Sequence, residues 1–421
     1  MTSKQKEVLE LFLQNKSDDE IASKLGGTSS NIRKHLANSC NTFGLRDFEG
    51  DRCRDDLVHL FIDFKPEWVC LELQTRFRFH PPLEIPEGSV PLNSKFYVER
   101  SPVESVACKE MTQPGALIRV KAPGQMGKSS LINRIKAYAA QKGYAAITVN
   151  LGSASTSNFS DLDQFLYWFC STITDELERE DGLDTYWKAA TGTSNRKCEK
   201  YLKRSLLREL EVPLVLCLDN VDRIFQYRAI ATDFFGLLRS WHEQAKTDEI
   251  WARLRIVLSY TKEVYVPLDI NRSPFNVGVQ IDLSPFNLAQ VTDLVQRHGL
   301  RWSEIELQRL QSLLGGHPYL VRVALYQIAQ RNITLADLLS SAPTEGGIYG
   351  EYLKDLLLNV QESPVLAEAV RRIIASPEST RIETETAFKL TSLGVARYVG
   401  NEVQMLCELY RQYLRERLEK A

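Results

Sequence analysis

Val120-Lys121-Ala122-Pro123-Gly124-Gln125-Met126-Gly127-Lys128-Ser129-Ser130 is the stretch whose reading decides the fold. Ahead of it, Ala116-Leu117-Ile118-Arg119-Val120 suits a buried strand, and behind it Leu131, Ile132, Ile135 and Tyr138 recur at helical spacing. A glycine-bearing turn between strand and helix is a phosphate-binding loop. Its backbone N–H groups curl around a phosphate while the helix N-terminus adds its positive dipole end. Pro123, Gly124, Gln125, Met126, Gly127 and Ser130 would form the cradle. Lys128 would reach the β- and γ-phosphates, and the Ser129 hydroxyl would ligate Mg²⁺. The motif G-x-x-x-x-G-K-[ST] asks for glycine at 122, where this chain has Ala122. The plain alternative is a strand–turn–helix with a chance Gly-Lys-Ser, which the surrounding pattern disfavours.

At 421 residues the chain is long enough for about three domains. Its 52 basic and 54 acidic residues nearly balance, leaving a net charge of −2 and no overall field that would attract nucleic acid or an anionic membrane. No apolar run approaches the roughly 20 residues that span a bilayer, and Met1–Glu7 has no signal-peptide core, so a cytoplasmic protein without membrane contact is expected. Eight cysteines at 40, 53, 70, 108, 170, 198, 217 and 407 include no C-x-x-C pair and are expected to be reduced, buried thiols. The six histidines have no metal-ligand spacing.

Residues 1–46 read as a compact helical module. Glu7–Leu13 is a first amphipathic helix, and Ser17 with Glu20 makes a capping box for a second. Gly26-Gly27 is a turn, and Ser29 or Ser30 would cap a third helix carrying Ile32 and Leu36. That order is a helix-turn-helix. The spacing of Val8-Leu9, Ile21-Ala22, Leu25, Ile32, His35 and Phe43-Gly44-Leu45 resembles the LuxR/GerE-type module. Its third helix offers Ser30, Asn31, Arg33, Lys34, His35 and Asn38, side chains able to touch phosphates and base edges of DNA. A protein-contact module remains the alternative. Residues 47–95 read as a helical connector followed by a linker marked by Pro81, Pro82, Pro86 and Pro91.

From Phe96 to about Pro285, strand and helix patterns alternate, which predicts an α/β parallel-sheet core. Strands are expected at Ala116–Val120, Tyr144–Leu151, Val212–Asp219, Arg253–Tyr260 and Val277–Leu283. Ligands bind beyond the carboxyl ends of such strands, where the loop, Asp219 and Thr261-Lys262 would gather. Asp219 would hold a Mg²⁺-bound water. Hydrolytic relatives of this architecture often carry a carboxylate at the next position, but here it is Asn220, an amide that cannot accept a proton. Hydrolysis should therefore be slow unless Asp222 substitutes.

Phe96-Tyr97-Val98-Glu99-Arg100-Ser101-Pro102-Val103-Glu104 resembles the V-G-R-E type element of the STAND signalling NTPases and origin-recognition-like AAA+ proteins. By that resemblance Val98 and Arg100 would lie near the adenine. Gly316-His317-Pro318 resembles the G-x-P motif on the STAND helical lid, implying that Pro318 meets the base; Lys262 would stand at the γ-phosphate sensor position, where arginine is commoner. The whole region resembles the AAA-like domain family of bacterial STAND-type P-loop ATPases. Five stretches carry that likeness: Phe96–Leu131, Leu218–Phe225, Phe234–His242, Asn271–Gly278 and Gly315–Val321. Ala122 is then a family trait. Trp241-His242 reads as a packing face. Residues 348–421 show three helical patterns and a hairpin around Gly400-Asn401, which suggests a winged helix.

The expected organisation is a helix-turn-helix module at 1–46, connector at 47–95, AAA-like P-loop ATPase core at 96–285, helical lid at 286–347 and winged helix at 348–421. The resemblance implies a signalling switch that binds ATP or ADP with Mg²⁺, hydrolyses slowly, self-associates and meets an unknown protein partner. Its rivals are an ATP-gated, DNA-binding transcription regulator and an ATP-driven remodeller, which Asn220 argues against.

Overall fold

The computed structural model describes residues 1–421 except 44, 46–50, 79–82, 180–181, 262–273 and 419–421, and only the backbone of 51–53, 56, 63 and 75–78. The chain divides into two units, Met1–Glu84 and Ile85–Ala421.

The first unit is helical: α1 (Ser3–Leu13), α2 (Asp18–Leu25), α3 (Ser29–Thr42), α4 (Asp51–Phe64) and α5 (Leu71–Arg78). The Ser17 capping box forms, with the Ser17 N–H donating to Glu20 Oε2 at 2.8 Å. The cap of α3 is Thr28, ahead of the serines expected there; its hydroxyl accepts the Asn31 N–H, while Ser29 donates its own hydroxyl proton to Asp19. Helices α4 and α5 share one core with the first three, through Leu57, Val58, Phe61, Ile62 and Leu73 packed with Val8, Leu9, Leu13, Ile32 and Leu36. Cys40 is disulfide-bonded, a departure from the reduced thiols expected of the sequence. Cys70, Cys108, Cys170, Cys198, Cys217 and Cys407 are free.

The second unit opens with α6 (Val103–Met111), β1 (Leu117–Lys121), α7 (Lys128–Gln141) and β2 (Ala145–Asn150). It continues with α8 (Leu162–Glu176), α9 (Leu183–Ala189), α10 (Ser194–Tyr201), β3 (Leu214–Asp219), α11 (Arg228–Gln244), β4 (Leu254–Tyr260) and β5 (Val279–Asp282). All five expected strands form, each within its expected span to a residue, and their parallel order is β2-β3-β4-β1-β5. Alternate residues feed opposite faces. Leu214, Leu216 and Leu218 of β3 pack with Phe165, Phe169, Phe234 and Trp241 of α8 and α11. Val215 and Cys217 pack with Ile118, Val120, Leu131 and Ile135 on the α7 side. Burial on both faces explains why these strands read as unbroken apolar runs. Trp241 stacks on Trp251 with centroids 5.3 Å apart, and His242 Nδ1 is 2.7 Å from the Gly115 carbonyl, so the Trp-His pair serves packing.

Helices α12 (Leu288–Arg297), α13 (Glu304–Leu314), α14 (Pro318–Ala329) and α15 (Leu335–Ser341) follow. Arg297 ties them back to the core by donating to the Lys95 and Tyr97 carbonyls at 2.9 and 2.6 Å. The Phe96 ring packs against both His298, 4.3 Å away, and the Arg322 guanidinium, 4.2 Å away, and those two groups touch each other at 3.3 Å. Next come α16 (Gly350–Gln361), α17 (Pro364–Ala375) and α18 (Thr384–Ser392), then the antiparallel hairpin β6 (Ala396–Val399) and β7 (Glu402–Met405). The expected turn at Gly400-Asn401 is present. A last helix unforeseen in the sequence, α19 (Glu408–Leu418), buries Leu409, Tyr410, Tyr413 and Leu414. No described helix is long and apolar enough to cross a membrane.

Candidate functional site: a phosphate loop at the sheet edge

Strand β1 runs into the loop at residues 122–127, and α7 begins directly after Gly127. Gly127 has φ +95°, a backbone conformation that favours glycine, and a Cβ there would stand a tight 3.2 Å from Arg100 Nη2. Gln125 also has positive φ, at 57°. No side chain caps α7, and its first turn holds no acidic residue, which leaves the terminal N–H groups open toward an anion.

Lys128 Nζ donates to the Ala122 and Pro123 carbonyls at 2.9 and 2.8 Å. Those oxygens stand in for the phosphate oxygens an ammonium at this position can take. Burial holds the Lys128 pKa below its ordinary value, while the negative fields of Asp222 and Asp219 oppose the shift. Ser129 Oγ donates to Asp219 Oδ2 at 2.8 Å, and Asp219 Oδ1 accepts the Asn220 N–H at 3.0 Å. The hydroxyl and carboxylate oxygens are hard donors at one point, the chemistry Mg²⁺ takes together with phosphate and water oxygens. Among the described residues no group of three or more His, Cys, Asp or Glu side chains could hold a metal unaided.

Asn220 is left-handed, with φ 53°, and its Nδ2 donates to Asn150 Oδ1 at 2.9 Å. Asn150 ends β2 in register with Asp219, a neighbour that sequence reasoning misses because strand pairing decides it. Asp222 Oδ2 accepts the Thr261 N–H at 2.7 Å, joining the ends of β3 and β4. Lys262 lies outside the described residues.

Arg100 closes the loop from one side. Its Nη2 donates to the Met126 carbonyl at 2.8 Å, and its guanidinium lies over the Phe286 ring at 4.9 Å. Glu104, the last residue of the Phe96–Glu104 element, accepts the Arg100 N–H with both oxygens and the Tyr97 hydroxyl at 2.7 Å. Val98 is buried in the same segment. The Ser130 hydroxyl accepts the Val90 N–H at 2.9 Å, so its side chain anchors the incoming chain. Arg134 completes that anchor by donating to the Val90 and Pro91 carbonyls, both at 3.1 Å. Pro318 is buried at the start of α14, directly after His317.

In the first unit, Ser30, Asn31, Arg33, Lys34 and Asn38 are exposed on α3 and His35 is half-buried. Arg33 Nε bonds Asp18 at 3.1 Å, and Arg54 donates two bonds to the same carboxylate, both 3.0 Å.

An uncharacterised WD repeat-containing protein of Synechocystis sp. is 24% identical to this chain over 294 residues, which are 66% of this chain and 23% of that protein. The chain thus spans about a quarter of that relative's length. Among solved structures, a Walker-type ATPase of Pyrococcus abyssi matches with a TM-score of 0.54 at 14% identity, over 76% of this chain and 96% of that one. That likeness is one of fold. The ADP form of the Aeropyrum pernix ORC2 protein matches more loosely, with a TM-score of 0.43 and 18% identity, over 79% of this chain and 95% of that one. The model of the AAA-like domain family matches residues 85–416, nearly the whole second unit. With the parallel sheet and the loop at its edge, that match means the chain belongs to the AAA-like domain family.

Proposed function

We propose that this chain is a nucleotide-dependent signalling switch of STAND type. The second unit binds ATP or ADP with Mg²⁺, hydrolyses ATP slowly, and changes its self-association with the nucleotide held. The observation that carries this reading is the convergence at one sheet edge of Lys128, the Ser129–Asp219 link and the uncapped start of α7. The bound nucleotide would supply the phosphate and the cation its charge compensation. The residues of this chain would orient both and, with Asn220 beside Asp219, leave the attacking water without a carboxylate base. Helices α12–α15 serve as the lid, with Val98, Arg100 and Pro318 on the base side. The α16–α19 segment with its hairpin serves as a winged helix, and the protein is cytoplasmic. Identification of the nucleotide carried by the purified chain, with sizing in ADP and in ATP, tests the reading. Absence of nucleotide binding, or one size in both, would overturn it.

A second reading makes the first unit a LuxR-like DNA-binding module gated by nucleotide. The exposure of Asn31, Lys34 and Asn38 on one helix favours it. The alternative is an unknown protein partner at the same face, and absence of all duplex binding across a salt series would leave that one.

A further inference from the structure

A cleft in the Ile85–Ala421 unit is built from its later helices and the hairpin. Its volume is about 460 Å³, within the range of roughly 300 to 1,000 Å³ that small-molecule sites occupy. One wall is α13, which offers Gln308 and Ser312 one turn apart, both exposed. Another is the hairpin, where Arg397 of β6 and Gln404 of β7 face each other across the ladder. Leu288, Pro377 and Met405 add apolar surface. The walls are fixed to each other at Gly315, where a Cβ would stand 2.6 Å from the carbonyl oxygen of Leu406, the residue after β7. Among the described residues, none that line the cleft belongs to the five-stranded sheet or to residues 122–130.

The charges of the cleft do not cancel. Arg411 is committed to the fold: its Nη1 donates to the Ile373, Ile374 and Ser376 carbonyls at 3.1, 2.9 and 2.9 Å, which closes the end of α17. Its Nε also pairs with Glu408 at 3.6 Å. Arg397 has no such duty. Its hydrogen bond runs from Nη2 to the Gln404 side-chain oxygen at 3.1 Å, and among the described residues no carboxylate pairs with it. Gln311, on the α13 wall, gives its Nε2 to the Phe286 carbonyl at 3.1 Å, and its buried Oε1 has no hydrogen-bond partner. The cleft therefore holds an uncompensated guanidinium, an acceptor that lacks a donor, and apolar surface beside both.

We propose that this cleft, walled by α13 and the β6–β7 hairpin, binds a small organic carboxylate with an apolar body and an N–H donor, the chemistry of an N-acylated apolar amino acid. Arg397 takes the carboxylate, because its planar fork of N–H groups matches two carboxylate oxygens. The amide and hydroxyl oxygens on α13 take the N–H. Leu288, Pro377 and Met405 cover the apolar body, whose removal from water adds to the affinity while the charged contact fixes its orientation. A nucleic-acid backbone fits the cleft less well: the apolar surface offers it nothing, and a single uncommitted guanidinium neutralises one phosphate. The proposal shares no residue with the phosphate loop and does not depend on nucleotide binding there.

The test uses the full chain and three probes, the N-acetyl derivatives of L-leucine, L-methionine and L-phenylalanine, followed by calorimetry and ligand-observed NMR. At least one should bind saturably. Its methyl ester, which lacks the negative charge, should bind about tenfold more weakly or worse, the loss expected of a charge-assisted hydrogen bond. Arg397→Ala should weaken the acid by a similar factor and leave the ester unchanged. Arg397→Lys, which keeps the charge without the fork, should fall between. Ser312→Trp sets a ring in the cleft and should block acid and ester alike. Lys128→Ala should alter none of this, so failure here and failure at the phosphate loop are told apart. Absence of saturable binding by all three acids overturns the proposal. So does equal binding of acid and ester, a comparison that needs no variant to fold. Unchanged binding in both Arg397→Ala and Ser312→Trp overturns it as well, by placing the probe elsewhere. If a mixed-sequence DNA duplex displaces the acid with the same dependence on Arg397, the cleft is a nucleic-acid contact and the proposal falls.

Discussion

The phosphate loop and helix α3 both present lysine, serine and amide side chains, but the fold treats them differently. In the loop each functional group is held by a named partner: Lys128 by two carbonyls, Ser129 by Asp219, Arg100 by Met126 and Phe286. On α3, Asn31, Lys34 and Asn38 stand in solvent, and Arg33 is turned back toward Asp18. The loop's groups are held in place by the chain itself, so its chemistry follows from its geometry. The helix offers a surface whose use depends on the partner it meets.

The largest expected effect lies in the loop. Lys128→Ala should weaken Mg²⁺-ATP binding by about 3 kcal/mol, roughly a hundredfold, measured by titration calorimetry. Unchanged affinity in a folded variant would remove the contrast between the regions. Next is turnover. Asn220→Glu should raise steady-state ATP hydrolysis by about tenfold or more by supplying the missing base, although it also breaks the bond to Asn150. A parent rate near the enzyme median of about 10 per second would contradict this argument.

A smaller effect is expected at α3. Arg33→Ala with Lys34→Ala should lower the salt slope of duplex binding by about one unit for each phosphate these side chains neutralise. Asp18→Asn, which frees Arg33, should tighten that binding. If neither changes anything, the helix meets protein. The smallest effect concerns acid stability. Burial alone would raise the Asp18 pKa, but hydrogen bonds from Arg54 and Arg33 and their charges outweigh it and hold the carboxyl below its ordinary value. A depressed folded-state pKa gives stability that is present above the unfolded value and lost as pH falls through the folded one. Melting of the first unit followed downward from about pH 5 should therefore decline less steeply in Asp18→Asn. At neutral pH that variant should be destabilised by no more than about 1 kcal/mol.

These regions also differ in how far the sequence disclosed them. The sheet was legible because β1, β3 and β4 are buried on both faces and so read as apolar runs, and the loop because its spacing is dictated by phosphate geometry. The convergence of Lys128, Ser129 and Asp219 at one sheet edge came with it. Asn150 did not, because its nearness to Asn220 depends on the β2–β3 register across 70 residues of chain. The Gly394 approach to Pro123 escaped for a related reason: it exists only once distant segments close. Helices α4 and α5 looked like a connector because their apolar faces are buried in a core, shared with α1 and α3, that forms only when the segments come together. Thr28 took the cap of α3 because Ser29 was drawn to Asp19, a choice local pattern cannot rank.

The anchor at Ser89–Pro91 bears on how such a protein can be rearranged. Ser89, Val90 and Pro91 are fastened to Asn133, Ser130 and Arg134, all on the helix that follows the phosphate loop. The second unit therefore carries its own clasp at its entrance, a few residues beyond the division at Glu84. A graft that exchanges whatever precedes residue 85 leaves the clasp closed and the loop undisturbed. One that cuts after Pro91 unbuttons the helix from its leading strap. Recombination between genes would thus find a permissive seam on one side of Ser89 and a costly one on the other.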